Sequence, residues 1–196
     1  MKVLLAPEGA KCAFFVLERT KMKKKIELKK LILSAMFLAL AFVLPFLTGQ
    51  IPQIGSMLLP MHIPVLLCGF FCGAPWGLAV GFIAPLFRSV IFGMPPMVPT
   101  ALCMAFELAA YGFFSGALYS RLKGSRRGVY LSLIGAMILG RVIWGIAMLI
   151  CMGIKSSAFG FAAFISGAVT GAIPGIILQL ALIPILVITL EKVNKN

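Results

Sequence analysis

Carboxylate and imidazole side chains are scarce in this chain. Its 196 residues include five acidic residues, all of them glutamate, and a single histidine. The sequence therefore has no paired carboxylates for acid–base catalysis, no nucleophile beside a base, and no phosphate-binding loop. A zinc site would also need more ligands at metal spacing. We predict that the protein is not an enzyme and that it holds no metal and no cofactor.

Cysteine is present but does not change that prediction. Two of the cysteines lie one helical turn apart inside an apolar run, a spacing that alone provides too few ligands for a metal. We interpret all five as small apolar packing residues: Cys12, Cys68, Cys72, Cys103 and Cys151.

Charge of either sign is also rare, since 12% of the residues are charged while 61% are hydrophobic and the mean hydropathy is +1.08. A soluble domain has about a quarter of its residues charged, so lipid is the solvent that suits this composition. A spanning helix needs about 20 apolar residues. We predict an all-α membrane protein, a six-transmembrane-helix bundle, from apolar segments at residues 31–48, 58–72, 76–92, 98–122, 129–152 and 164–190.

The basic residues give the bundle an orientation and account for the net charge of +13. Basic groups precede the first segment, separate the fourth from the fifth, and follow the sixth, whereas the opposite loops carry only Lys155. The positive-inside rule then predicts cytoplasmic N and C termini in the cell membrane, and no nucleic-acid partner. The groups are Lys21, Lys23, Lys24, Lys25, Lys29 and Lys30; Arg121, Lys123, Arg126 and Arg127; Lys192 and Lys195.

The N-terminal part of the chain is set apart from the membrane domain. Residues 12–17 form an apolar stretch too short for a secretory signal, and two charged residues interrupt it at 18 and 19. Met22 opens a second candidate start. We expect residues 1–21 to be a disordered extension and residues 22–196 to form the membrane domain that binds substrate.

A few charged residues lie inside the predicted spans, where insertion of a charge costs about 2.5–3.5 kcal/mol. Arg88 and Glu107 fall at similar depth on consecutive helices, so an ion pair between them is one expectation. Arg141 then has no acidic partner, and the excess positive charge favours an anionic ligand. Direct contact of Arg88 or Arg141 with a ligand carboxylate is the other expectation, because a guanidinium binds a carboxylate through two parallel hydrogen bonds.

Further polar and aromatic residues complete the candidate substrate site. Trp144 is three residues after Arg141, and Tyr111 is one turn from Glu107, so each shares a helix face with a charge. Each also admits a structural role in packing, in interfacial contact or in a hydrogen bond to a neighbouring helix. The remaining members of the predicted site are Gln179 in the last span, and His62 and Gln53 near the outer entrance to the second.

The first span contains Ala35 and Ala39 four residues apart, in the run LILSAMFLALAFVLPF. Together with MLLPMHIPVLLCGFFCG and GLAVGFIAPLFRSVIFGMPP, this run resembles the substrate-binding S components of energy-coupling factor (ECF) vitamin transporters. The resemblance implies capture of a small water-soluble vitamin near the outer face, beneath the loop that follows the first helix. It also implies that Ala35 and Ala39 contact a transmembrane coupling subunit, which works with two ATPases.

The vitamin is not specified by the resemblance, because ligand residues in this family vary with the ligand. Two buried arginines favour a carboxylated compound, so pantothenate is the first choice, ahead of niacin, folate, biotin and riboflavin. Two other functions are compatible with the residues alone. One is a stand-alone channel or facilitator for a small solute, and the other is a small membrane enzyme or assembly factor.

Overall fold

The computed structural model describes residues 8–47, 59–122, 126–154 and 173–193. These residues form six α-helices and one π-helical turn, so the predicted all-α fold is confirmed. Five of the helices contain a segment long and apolar enough to cross a membrane. The helices are α1 (Glu8–Leu47), α2 (His62–Cys72), α3 (Ala74–Phe92), α4 (Leu102–Leu122), α5 (Arg126–Ile154) and α6 (Ile173–Val193), and the π-helical turn is Met97–Ala101.

The first helix is longer than a bilayer requires. Its 40 residues extend about 60 Å at 1.5 Å per residue, and its apolar spanning part is Lys21–Phe46. Because α1 begins at Glu8, part of the segment before Met22 continues the same helix. The division of the chain at residue 21 stays a prediction.

The second helix is shorter than the expected segment at 58–72. It has 11 residues, which extend about 16 Å, roughly half of the hydrocarbon thickness. A turn at Leu59 to Met61 precedes it, and Leu59 has a positive φ of 50°. Nearly every residue of α2 is buried, so this helix is enclosed by its neighbours and its first residue, His62, lies inside the protein.

The helices pack around α2 and α4, which contribute to both hydrophobic clusters. One cluster joins α1, α2, α3 and α4 around Val65 and Leu108. The other joins α2, α4, α5 and α6 around Leu66 and Leu133. Large apolar side chains on the opposite faces of α3, α5 and α6 are exposed, among them Val90, as expected for surfaces that contact lipid.

Close approach of α3 and α4 depends on glycine. Gly77 and Gly112 face each other so closely that a Cβ atom on either would overlap the backbone of the other. Gly81 is pressed in the same way against the backbone at Leu108. Small residues at a helix interface allow this separation inside a membrane, where dispersion contacts drive association. The contact fixes α4, and with it the side chain of Glu107, against the rest of the bundle.

Candidate functional site

Glu107 is the centre of a buried polar cluster formed by three helices. It lies on α4 with 2% of its side chain exposed. Its Oε1 atom is 3.0 Å from Nη1 of Arg141 on α5 and 3.5 Å from Nε2 of His62 at the start of α2. The imidazole lies beside Oε1 but is not aligned with it for a hydrogen bond. The short α2 makes this meeting possible, because its first residue is inside the bundle.

The expected ion pair between Arg88 and Glu107 is wrong. Nη1 of Arg88 donates a hydrogen bond to the backbone oxygen of Phe42 on α1, at 3.2 Å. The guanidinium carbon also lies 5.4 Å from the ring centroids of both Phe46 and Phe92. Arg88 therefore faces α1, near the partial negative charge at the C-terminal end of that helix. Glu107 is instead the acidic partner of Arg141, for which the sequence analysis predicted none.

The sequence analysis did not predict that aromatic rings contact Arg88. Phe92 is four residues after Arg88 on the same helix, and this spacing was a usable signal because residues four apart share a helix face. Phe46 comes from another helix and gave no such signal. The rings stabilise the guanidinium electrostatically.

Several polar atoms of the cluster, and one of Gln179 on α6, are buried without a hydrogen-bond partner among the described residues. They include both ring nitrogens of His62, Oε1 of Glu107, Nε and Nη2 of Arg141, and Nε2 of Gln179. Leaving a buried donor or acceptor unpaired costs about 1–3 kcal/mol, and native proteins contain few such groups. Their concentration on polar residues that the sequence analysis singled out is typical of a site built to bind a polar molecule.

Tyr111 packs beside the cluster. Its ring meets that of His62 edge to face, with the centroids 5.2 Å apart, and 1% of the residue is exposed. Gly140 allows this arrangement, because a Cβ atom at that position would overlap the Tyr111 ring. Tyr111 therefore packs against one side of the imidazole. Gly140 lets α5 approach the Tyr111 ring closely, a role that the sequence analysis did not predict.

The remaining predicted site residues are not all placed together. Trp144 is partly buried on α5, three residues after Arg141. Gln179 is 1% exposed on α6. Gln53 lies outside the described residues. Within the ranges that the structure describes, no group of three or more His, Cys, Asp or Glu residues is arranged to hold a metal.

The predicted partner contact on α1 is accessible. Ala35 and Ala39 are both exposed, whereas Ser34 and Ala41 on the other side of the helix are buried. Exposure of small side chains leaves the backbone of α1 open to close approach by another helix.

Comparison with known families gave one match. The family model described as "ECF transporter, substrate-specific component" matches residues 29–187. Comparisons with curated proteins and with solved structures gave no significant match. The matched range contains all the helices of the bundle except the N-terminal half of α1 and the end of α6.

Proposed function

Because the chain belongs to the family of ECF transporter substrate-specific components, we propose that the cluster of His62, Glu107 and Arg141 binds the solute that the transporter imports. Membership makes the protein a multi-pass membrane subunit that binds a small molecule and works with coupling and ATPase subunits. The proposal adds the place of binding and the chemical class of the ligand. That class is a small carboxylated vitamin or vitamin precursor, and pantothenate is the favoured member.

The observation that carries the proposal is the free edge of the Arg141 guanidinium. Nη1 is taken by Glu107, whereas Nε and Nη2 are buried without a partner among the described residues. Nε and Nη2 lie along one edge of the planar guanidinium and can donate two parallel hydrogen bonds to one carboxylate. Glu107 thus orients the guanidinium and leaves the pair of donors that an acid requires.

The other polar groups suit a ligand with more than a carboxylate. Gln179 has a donor to offer to a carbonyl oxygen, and His62 has a nitrogen on each side of its ring. Glu107 is an acceptor to which a ligand hydroxyl can donate. Pantothenate combines a carboxylate, an amide and hydroxyl groups, and so matches these donors and acceptors.

Arg88 is not part of the proposed ligand site. Its guanidinium is already held by a backbone oxygen and two aromatic rings, so the argument for an anionic ligand rests on Arg141 alone. This differs from the expectation that an excess of two arginines over one glutamate attracts the cargo.

Mass spectrometry of small molecules that co-purify with the protein tests the proposal. A tightly bound carboxylated vitamin should be released on denaturation of the wild-type protein, at close to one molecule per chain. Arg121→Ala, which removes an exposed arginine on α4, is the matched control and should retain the same compound. Recovery of a cargo without an acidic group would contradict the proposed ligand class. Uptake of the compound in cells without the ATPases would instead identify a facilitator.

A further inference from the structure

Three sulfur atoms meet near the N-terminal end of α4 and the C-terminal end of α5. Cys103 on α4 is fully buried, and its Sγ lies 3.9 Å from Sδ of Met148 on α5. The thiol of Cys151 also lies beside the Cys103 thiol. Met148 and Cys151 are three residues apart and therefore share a face of α5. The three side chains form what we call the sulfur cluster.

We infer that the sulfur cluster is a binding site for a soft monovalent cation of the copper(I) or silver(I) type. Metal–sulfur bonds are about 2.3 Å long, so two sulfur ligands of a trigonal ion lie roughly 4 Å apart. The separation of Cys103 and Met148 is 3.9 Å, which fits such an ion with little movement. The ligands come from two helices that pack directly against each other, so the positions of Cys103 and Met148 are set before the ion binds.

The ligand types select the ion. Thiolate and thioether sulfur favour copper(I), whereas zinc prefers four ligands drawn from cysteine, histidine and carboxylates. The described residues contain no such set of three or more, and Met148 supplies a thioether instead. One thiol loses its proton to solvent on binding, and a single thiolate with a monovalent ion is neutral. Neutrality suits a buried site, because an uncompensated charge is costly there.

The sulfur cluster adjoins the candidate vitamin site without sharing residues with it. Cys103 is one helical turn from Glu107 on α4, so an ion at the cluster links α4 to α5 beside the contact between Glu107 and Arg141. The inference does not depend on the proposed function, since an ion can be bound whether or not a vitamin is.

A second thiol pair provides the matched control. The thiols of Cys68 and Cys72 also lie beside each other, but both belong to α2 and cannot link two helices. Cys12→Ser serves as the background for every variant, so that the two buried pairs are compared directly. The variants are Cys68→Ser with Cys72→Ser, Cys103→Ser with Cys151→Ser, and Met148→Leu alone.

The experiment is titration of reduced, detergent-purified full-length protein with silver(I), followed by X-ray absorption of the copper(I)-loaded protein. The background protein and the Cys68→Ser, Cys72→Ser variant should retain the tightest silver site, with three sulfur neighbours at about 2.3 Å. Met148→Leu, which conserves side-chain volume, should show two neighbours. It should also bind at least about tenfold more weakly, the scale of loss seen even for outer-shell changes at metal sites.

Two results would overturn the inference. One is an unchanged tight site in the Cys103→Ser, Cys151→Ser variant, which would place the ion elsewhere. The other is an unchanged sulfur count and affinity in Met148→Leu, which would remove the thioether from the site. Elution as a single species in size-exclusion chromatography verifies folding of each variant, and the conservative Met148→Leu change decides the question if the double cysteine variant does not fold.

Discussion

Arg88 is a buried cation that is stabilised without an acidic partner among the described residues. Burial of a charge in the bilayer costs about 2.5–3.5 kcal/mol. Its hydrogen bond to Phe42 contributes about 1.5–3 kcal/mol, as bonds to charged groups do, and each contact with the rings of Phe46 and Phe92 contributes about 0.5–2 kcal/mol. These contacts offset the cost, so Arg88 joins α3 to the end of α1.

Replacement of Arg88 by methionine therefore separates structure from ligand binding. We expect Arg88→Met to bind the cargo with a Kd within about threefold of the wild type, below the roughly 1 kcal/mol that loss of a direct hydrogen bond produces. Isothermal titration calorimetry on monodisperse protein measures this. A loss of affinity of a hundredfold would place Arg88 in the ligand site after all.

The polar residues of the cluster could be found in the sequence, but their pairing could not. Glu107, Arg141 and His62 stand out because charge and imidazole are rare inside apolar runs. Sequence position gives approximate depth in the membrane, and it predicts the same depth for Arg88 and Glu107. It does not give the rotation of one helix relative to another. That rotation is decided by the glycine contact of α3 with α4, which directs Arg88 towards α1.

The contact between α3 and α4 predicts a strong effect of a single methyl group. Gly112→Ala places a Cβ atom against the backbone of Gly77, and forced separation of packed elements costs about 1–3 kcal/mol. We expect a lower melting temperature and a smaller yield of monodisperse protein in thermal size-exclusion assays.

Gly135→Ala is the matched control for that change. At this position on α5 the added methyl group meets only the tip of the Leu118 side chain, at 3.0 Å, and the tip can move. Alanine also favours the helix by up to about 1 kcal/mol over glycine. An equal loss of stability in both variants would show that close packing of α3 and α4 is not the cause.

The exposed face of α1 predicts a variant that binds but does not transport. Ala35→Leu with Ala39→Leu should leave ligand affinity unchanged, since both side chains point away from the core. Uptake of the cargo should fall to background, because bulky side chains prevent close approach of the coupling subunit. Leu40→Phe, on an exposed position about 100° further around the helix, should transport normally. Full uptake by the Ala35→Leu, Ala39→Leu variant would disprove this contact.

Among the helices, α2 is the one whose length the apolar pattern of the sequence predicted least well. The apolar run from residue 58 to residue 72 reads as a span, yet the helix begins only at His62. A turn at Leu59 with positive φ precedes it, and leucine carries no sequence signal for that conformation. The long helices were easier to predict, because runs of about 20 apolar residues between glycine and proline have few alternatives.

The distribution of lysine and arginine over the whole chain predicts the orientation of the bundle. Both termini should be cytoplasmic, because the basic groups all fall on one side when each of the six helices, the short α2 included, is counted as a crossing. Fusions to the C terminus test this. Green fluorescent protein should fluoresce and alkaline phosphatase should be inactive; active phosphatase at that end would reverse the orientation.

Arg141 is the residue that we propose binds the acidic group of the imported compound. The most direct measurement is the affinity of the co-purifying compound for Arg141→Ala, with Arg121→Ala as the control and size-exclusion chromatography to verify folding. Loss of two charge-assisted hydrogen bonds should weaken binding by at least about 1.5–3 kcal/mol, or roughly 10- to 150-fold, while the control binds as the wild type does. Equal affinity in Arg141→Ala and the wild type would contradict the proposed site.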